Sequence, residues 1–386
     1  MAEDALYQIV LLGPGCARHK DVFIAELTER LAEIGGDLEG ALRVLGASEI
    51  PALRKTAPSV AVYFGGGGAP TDEAAVGELI GMAVPILPVV DAVEDYAAKV
   101  PPALHPINGM AVAWDDPDFA AAINIALENL SLLRRRRRLF LSYFRKDSSV
   151  AAHQLRVAFD DRGFDTFLDT SSVPKGDDFQ SVLWHRLLDS DVMIVLDTAD
   201  FLTSRWTRQE LAQASAMSVG MLRVVWPGVE RVREAELAAH LYLDPADFLG
   251  DRLTDAAAER IIQATEVLRA RCIAARHTNL VVEFCEEAER IGVHTAVQPE
   301  RFILAQRGGG QRVAAIPAVG VPDAQLYHDA AGRFPVAGER ADAAVLIYDH
   351  RGMLPAWIQF LDWLDDHLPV KGLRVTETAA KLGGLL

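Results

Sequence analysis

LFLSYFRKDSSVAAHQLRVAFDDRGFDTFLD, residues 139–169, reads as strand, helix, strand, and it sets the architecture of the middle of the chain. LFLSYF is a short apolar run rich in residues that favour strands. In SVAAHQLRVAFDDRG, Val150, Leu155 and Phe159 fall on one helical face, and Gly163 stops the helix. FDTFLD is the second strand. Beyond it come the loop TSSVPKGDD, the helix FQSVLWHRLLDS, the strand DVMIVLD, the loop TADFLTS, the helix RWTRQELAQASAM and the strand MLRVVWPG. Strands alternating with helices in the order βαβαβαβ predict a parallel sheet.

Both flanks read the same way. Upstream, YQIVLLGPG runs into KDVFIAELTERLAEIG, where Phe23, Leu27, Leu31 and Ile34 recur at helical spacing. Short buried-type runs follow at 59–68, 83–91 and 109–114, and a helix over 117–133 closes this part. Downstream, LTDAAAERIIQATEVLRARCIAA reads as a joining helix, and TNLVVEFCEEAERIG as a helix opening the last part. HTAVQ, FILAQ, VAAIPAV and ADAAVLIYDH follow as strands before LPAWIQFLDWLDDHL, whose Trp357, Phe360, Leu361 and Leu364 read as a buried stripe. The predicted fold class is α/β, with three open parallel-sheet units: an N-terminal regulatory or assembly domain over 1–133, a central flavodoxin-like domain over 134–265 and a C-terminal domain over 266–386. The five arginines at 134–138 read as a solvated hinge or helix end, or as a docking surface for an acidic partner or phosphates.

A chain of 386 residues is too long for one simple core, which agrees with several units. The formal charge of −16 disfavours nucleic acid as a partner, because polyanion binding needs a basic stripe. No apolar run approaches the roughly 20 residues of a bilayer span, so no membrane association is expected. The start MAEDALYQIVLL lacks the basic flank of an export signal, and the expected location is cytoplasmic. Cys16, Cys272 and Cys285 lie too far apart for a metal knuckle or a disulfide ladder. LLGPG at 11–15 and GGGG at 65–68 read as turns, since neither completes a dinucleotide fingerprint, and hydride transfer is not expected. His153 and His185 sit on predicted helices with no serine or cysteine motif to make a triad.

SRWTRQE is the place to look for chemistry. Trp206 and Glu210 are four residues apart, so a helix stacks them on one face, and Ser204 or Thr203 would cap its entry. An indole beside a carboxylate could hold a planar ring and set an acid against a sugar; equally, Trp206 could pack in the core with Glu210 solvated. The loop TSSVPKGDDF lies at a carboxyl end of the sheet, where open α/β folds bind ligands. Pro174 and Gly176 shape it, and Lys175, Asp177 and Asp178 keep it polar. It reads as a lid or as a plain surface loop.

Taken in order, FLSY with Asp147 and Ser148, GFDTFLD, the Lys175–Gly176 loop, DVMIVLD and SRWTRQEL resemble a Toll/interleukin-1 receptor (TIR) domain of the bacterial NAD-cleaving type. The resemblance covers the middle of the chain and leaves both flanks unassigned. It implies an NAD+ nucleosidase that cleaves the nicotinamide–ribose bond, giving nicotinamide with ADP-ribose or its cyclic form. Glu210 takes the place of the catalytic glutamate and Trp206 that of the family's tryptophan, with Thr207 where a cysteine is common. The same resemblance implies a binding region from Tyr143, Phe144, Ser171, Lys175 and Asp177. It further implies no metal, no cofactor beyond NAD+ as substrate, and self-association through TIR domains. An assembly-activated role in antiphage defence would follow, with a small-molecule or protein trigger at the flanks. The alternative within the family is a non-catalytic scaffold for self-association and signalling.

Overall fold

The computed structural model describes residues 6–386 except 36–37, 55–56, 67, 169–178, 200, 202–218, 230–237, 299 and 338–340. It divides into two compact units, 1–135 and 136–386.

The first unit is a five-stranded parallel sheet built from β1 (Tyr7–Leu12), β2 (Leu42–Leu45), β3 (Ser59–Phe64), β4 (Ile86–Val90) and β5 (Met110–Ala111), in the order β2-β1-β3-β4-β5. Its helices include α1 (Cys16–Ile34), α2 (Glu73–Gly81) and α3 (Ala120–Asn129). One face buries Val10, Leu12, Ala61, Tyr63, Val76 and Leu79. On the other, Phe23, Phe64 and Phe119 meet edge to face at 5.6–5.8 Å. The GPG turn has a packing cause. Gly13 has φ +92°, a Cβ there would stand 2.4 Å from the Phe64 carbonyl oxygen, and its N–H donates to Asp72 Oδ2 at 2.8 Å.

The second unit holds two five-stranded sheets. The first comprises β6 (Arg137–Tyr143), β7 (Phe164–Leu168), β8 (Val192–Asp197), β9 (Gly220–Val225) and β10 (Ala239–Tyr242). All its pairs are parallel and the order is β7-β6-β8-β9-β10, the doubly wound flavodoxin-like arrangement. Helix α4 (Arg145–Asp160) covers one face and α5 (Phe179–Asp189) the other. The last sheet comprises β11 (His294–Val297), β12 (Ile303–Gln306), β13 (Arg312–Pro317), β14 (Ala343–Tyr348) and β15 (Lys371–Arg374). It departs from the expected parallel arrangement in its first part, since β11-β12-β13 is antiparallel and only β13-β14-β15 is parallel. The connections at 298–302 and 307–311 are too short for a parallel crossover, which needs a dozen or more residues. Helices α7 (Ala324–Ala337) and α8 (Pro355–His367) cover one face of this sheet. On α8, Leu361 and Leu364 are buried as expected, while Trp357 and Phe360 are only half-buried and Trp363 is 55% exposed.

One helix serves both sheets. α6 (Asp255–Arg290) is 36 residues long, about 54 Å at 1.5 Å per residue, and its start is capped by Thr254, whose side chain accepts from the Ala257 N–H at 3.2 Å. Ala257, Ile261 and Ile262 pack on the first sheet, and Leu280, Phe284 and Ala288 pack on the second. Position 265, the predicted domain boundary, lies inside this helix, and the predicted joining helix and the helix expected to open the last part are one. Among the described residues no helix is long and apolar enough to cross a membrane.

The arginine run is divided: Arg135 and Arg136 are exposed at the boundary between the two units, while its last two members are built into the fold. Arg137 and Arg138 lie in β6, Arg137 pairs with Glu266 of α6 at 2.5 Å with both side chains buried, and Arg138 pairs with Asp189 at the end of α5. Arg136 reaches Asp323 ahead of α7. Its acidic partners therefore come from this same chain. Beside them Arg269 Nε donates to Asp191 Oδ2 at 2.7 Å with neither side chain exposed, and Arg276 donates to the carbonyls of Ser190 and Leu188 at 2.8 and 2.6 Å.

His185 of α5 adds an uncharged contact: its Nδ1 accepts the Leu354 N–H at 3.3 Å and its ring lies 5.5 Å from Trp357. Burial, with Arg186 and Arg138 nearby, pushes this imidazole from 6.5 down to about 4. The folded form thus resists a proton that the unfolded chain accepts. Stability should be undiminished by this group above pH 6.5 and should fall as pH drops from 6.5 to about 4. Urea midpoints across that range should show a weaker acid dependence in His185→Gln than in the wild type. For the buried pair, Arg269→Met should cost about 3–5 kcal/mol by stranding the Asp191 carboxylate. The double variant Asp191→Leu/Arg269→Met should recover much of that loss in the same urea measurement.

Candidate functional site

In this strand order the crevice outside the carboxyl ends of β6 and β8 is the expected ligand position. Tyr143 ends β6 and Phe144 follows it, and their side chains part. Tyr143 is 6% exposed and packs in the core with Ala151, Ala152 and Leu155, whereas Phe144 is half-buried against the Phe140 and Phe167 side of the sheet. Phe144 has extended backbone and precedes α4, and its carbonyl accepts from the N–H groups of Asp147 and Ser148 and from Ser148 Oγ, each at 3.1 Å. Ser148 leaves helical geometry at φ −131°, which sets the first turn of α4 apart from the rest. Across the crevice, Thr198 Oγ1 donates to Asp147 Oδ2 at 3.2 Å. The hydrogen bond ties the start of α4 to the chain leaving β8.

On the α5 face, the end of β8 carries a buried charge. Asp197 pairs with Arg223 of β9, with side chains 1% and 3% exposed. In register, His240 of β10 stands beside Arg223, and its ring stacks on Tyr242 at 6.1 Å and 11°. Burial raises the Asp197 carboxyl above its usual range, with Arg223 and then His240 pulling it back. Phe201 and Val219 are both buried in the cluster on this face, together with Leu183, Leu187, Met193 and Val195. They bracket 202–218, the segment that contains Trp206 and Glu210.

Of the residues expected at the site, only Tyr143 and Phe144 are among the described ones. Ser171, Lys175, Asp177, Trp206 and Glu210 lie outside the described residues, as do Thr203, Ser204, Thr207, Pro174, Gly176 and Asp178. The sequence reading overlooked Asp197, Thr198, Arg223 and His240. Two of them had a signal: an aspartate ending DVMIVLD and an arginine inside MLRVV are charges in apolar runs, and buried charges occur in pairs. Among the described residues no group of three or more His, Cys, Asp or Glu could hold a metal.

Arg223→Met would leave the Asp197 carboxylate buried without its cation. It should cost about 3–5 kcal/mol at neutral pH and push that carboxyl further up. A carboxyl with a raised value costs stability as pH rises through the carboxylate range, so this variant should recover relative to wild type as pH falls towards that range. Denaturant midpoints at neutral and mildly acid pH would measure the recovery.

Comparison with known proteins bears on this part of the chain. Residues 139–262 match the family model described as TIR domain, and the middle of the chain is a TIR domain. No curated protein matches the chain. Among solved structures, the TIR domains of the activated Roq1 resistosome align at 19% identity over 36% of this chain and 82% of that one, with a TM-score of 0.23. The C-terminal domain of glucosamine-fructose-6-phosphate aminotransferase from Francisella tularensis aligns at 11% identity over 71% and 86%, with a TM-score of 0.20. The leucine-binding protein LivK from Thermotoga maritima aligns at 13% identity over 79% and 97%, with a TM-score of 0.18. At such TM-scores these three likenesses carry no argument about this chain.

Proposed function

We propose that the TIR domain cleaves NAD+ between nicotinamide and ribose, with Glu210 as the catalytic carboxylate. The observation that carries this reading is the TIR match over 139–262, a span that includes SRWTRQE with both its ring and its acid. The expected ligand crevice lies outside the carboxyl ends of β6 and β8, where Thr198 donates to Asp147 close to Phe144.

The chemistry asks little of the protein. The ring nitrogen of nicotinamide is already positively charged in NAD+, so the base leaves neutral and needs no proton. The difficulty is positive charge growing on the ribose as the C–N bond stretches. An oriented carboxylate stabilises that charge more in the transition state than in the ground state. Glu210 would also accept hydrogen bonds from ribose hydroxyls and fix the sugar. Water then attacks the sugar and gives up a proton, yielding ADP-ribose; attack by a group of the same dinucleotide yields the cyclic product. Trp206 would hold the planar base. Phe144, Ser171, Lys175 and Asp177 would line the dinucleotide, and buried Tyr143 would fix the end of β6 from beneath. NAD+ is the substrate, and the reaction needs no metal or further cofactor.

Unrestrained cleavage would drain the cell that makes the enzyme, so activity is held until TIR domains associate. The flanking sheets carry that control and respond to a trigger, in keeping with cytoplasmic antiphage defence. The TIR resemblance supports this reading.

Purified protein given NAD+ should release nicotinamide, most strongly when concentrated. Glu210→Gln should lower the rate about a hundredfold or more while leaving the melting temperature unchanged. Mass spectrometry of the second product separates linear from cyclic ADP-ribose. Equal turnover by wild type and Glu210→Gln would remove Glu210 from the chemistry, and no turnover under associating conditions would make the domain a scaffold.

A further inference from the structure

Just beyond β8 the chain is pinned from several sides. Thr198 is 4% exposed, its carbonyl accepts the Phe201 N–H at 3.1 Å, and the Phe201 ring is fully buried on the α5 face. One residue earlier, the Asp197 carbonyl accepts the Trp226 N–H at 3.0 Å, and the Asp197 carboxylate pairs with Arg223 of β9. The Thr198 hydroxyl therefore stands at a fixed place on the sheet.

The first turn of α4 is held differently. Ser148 departs from helical geometry at φ −131°, and the N–H groups of Asp147 and Ser148 both turn back to the Phe144 carbonyl. The turn is thereby set off from the regular ladder of α4, and Arg145, Lys146 and Asp147 are exposed on it. Asp147 makes no ion pair among the described residues, so its Oδ2 accepts from the Thr198 hydroxyl, at 3.2 Å, without a competing cation. A hydrogen bond to an ionised acceptor is about twice as strong as one between neutral groups. This one ties the set-off turn to the sheet at the strand ends where open α/β folds take their ligands.

We propose that Thr198 and Asp147 are a positioning pair for NAD+ binding, an inference that rests on the NAD+ reading above. Their bond holds the turn that begins at Phe144 in its binding position before the dinucleotide arrives. A turn that has to be ordered on binding costs affinity, and fixing it beforehand removes that cost. Neither residue is a catalytic residue. Loss of the bond loosens one wall of the crevice and leaves the carboxylate of Glu210 in place, so the effect falls on KM and not on kcat.

Thr198→Val keeps the shape and removes the donor, and the exposed Asp147 carboxylate that it releases is met by water. This variant should melt as wild type, while KM for NAD+ in the nicotinamide-release assay should rise about tenfold at unchanged kcat. Thr198→Ser restores the hydroxyl and should restore KM. Asp147→Ala should repeat the rise, and Thr198→Val/Asp147→Ala should add nothing to it, since both substitutions remove the same bond. A merely structural role would instead lower the melting temperature and the amount of active enzyme, and hence kcat, at constant KM. Titration calorimetry with NAD+ on Glu210→Gln, which holds the substrate uncleaved, should show affinity falling about tenfold when Thr198→Val is added. Binding or turnover of NAD+ with KM and Kd unmoved by Thr198→Val, or additive losses in the double variant, would overturn the pairing and leave the NAD+ reading standing. A chain that neither binds nor cleaves NAD+ would remove both.

Discussion

Asp191 and Arg269 meet at 2.7 Å with no solvent exposure on either side chain, and much of the second unit is arranged around that contact. Removing two charges from water is costly, and their attraction offsets the cost only where geometry is good and neighbours supply further hydrogen bonds. One neighbour here does so for the carboxylate, the Arg138 N–H donating to Asp191 Oδ2 at 3.3 Å, and other contacts fix the surroundings. The Asp191 N–H donates to the Arg138 carbonyl at 2.7 Å, Arg137 pairs with Glu266, Arg138 with Asp189, and Arg276 takes up two carbonyls at the end of α5. The network gathers the amino ends of β6 and β8, the carboxyl end of α5 and the middle of α6. None of these can shift without stranding a buried charge.

This constraint makes α6 more than a connector. Its first half completes the core of the TIR sheet and its second half forms one layer of the last sheet, with the ionic contacts in between. A rigid helix shared in this way gives the two sheets a common element, and the unit behaves as one compact body in its contacts. Any control of the TIR domain by the C-terminal sheet would pass through a few named hydrogen bonds, not through a flexible linker.

Much of the fold was legible. The long apolar runs became the central strands, because a strand buried on both faces reads as a continuous hydrophobic stretch. β2, β10 and β15 were missed, and each is a four-residue strand at a sheet edge with intermediate or exposed positions. An edge strand buries too little to show as a run. The candidate site was legible in a different sense. Trp206 and Glu210 stood out by spacing and by family resemblance, whereas Asp197, Thr198, Arg223 and His240 are brought together by strand pairing between distant segments. The arginine run misled because its composition suggests a solvated surface, while its partners Asp189, Glu266 and Asp323 lie far away in sequence.

By itself the sequence determined the α/β class, the order of the central strands and helices, and the TIR character of the middle, since these rest on local periodicity, turn residues and an ordered set of short motifs. Tertiary structure alone decided that the last sheet is mixed, that one helix unites it with the TIR sheet, and that Arg137 and Arg138 are paired inside the fold. Those features depend on which distant residues become neighbours, and a buried charge is stable only where the fold has already placed its counter-charge.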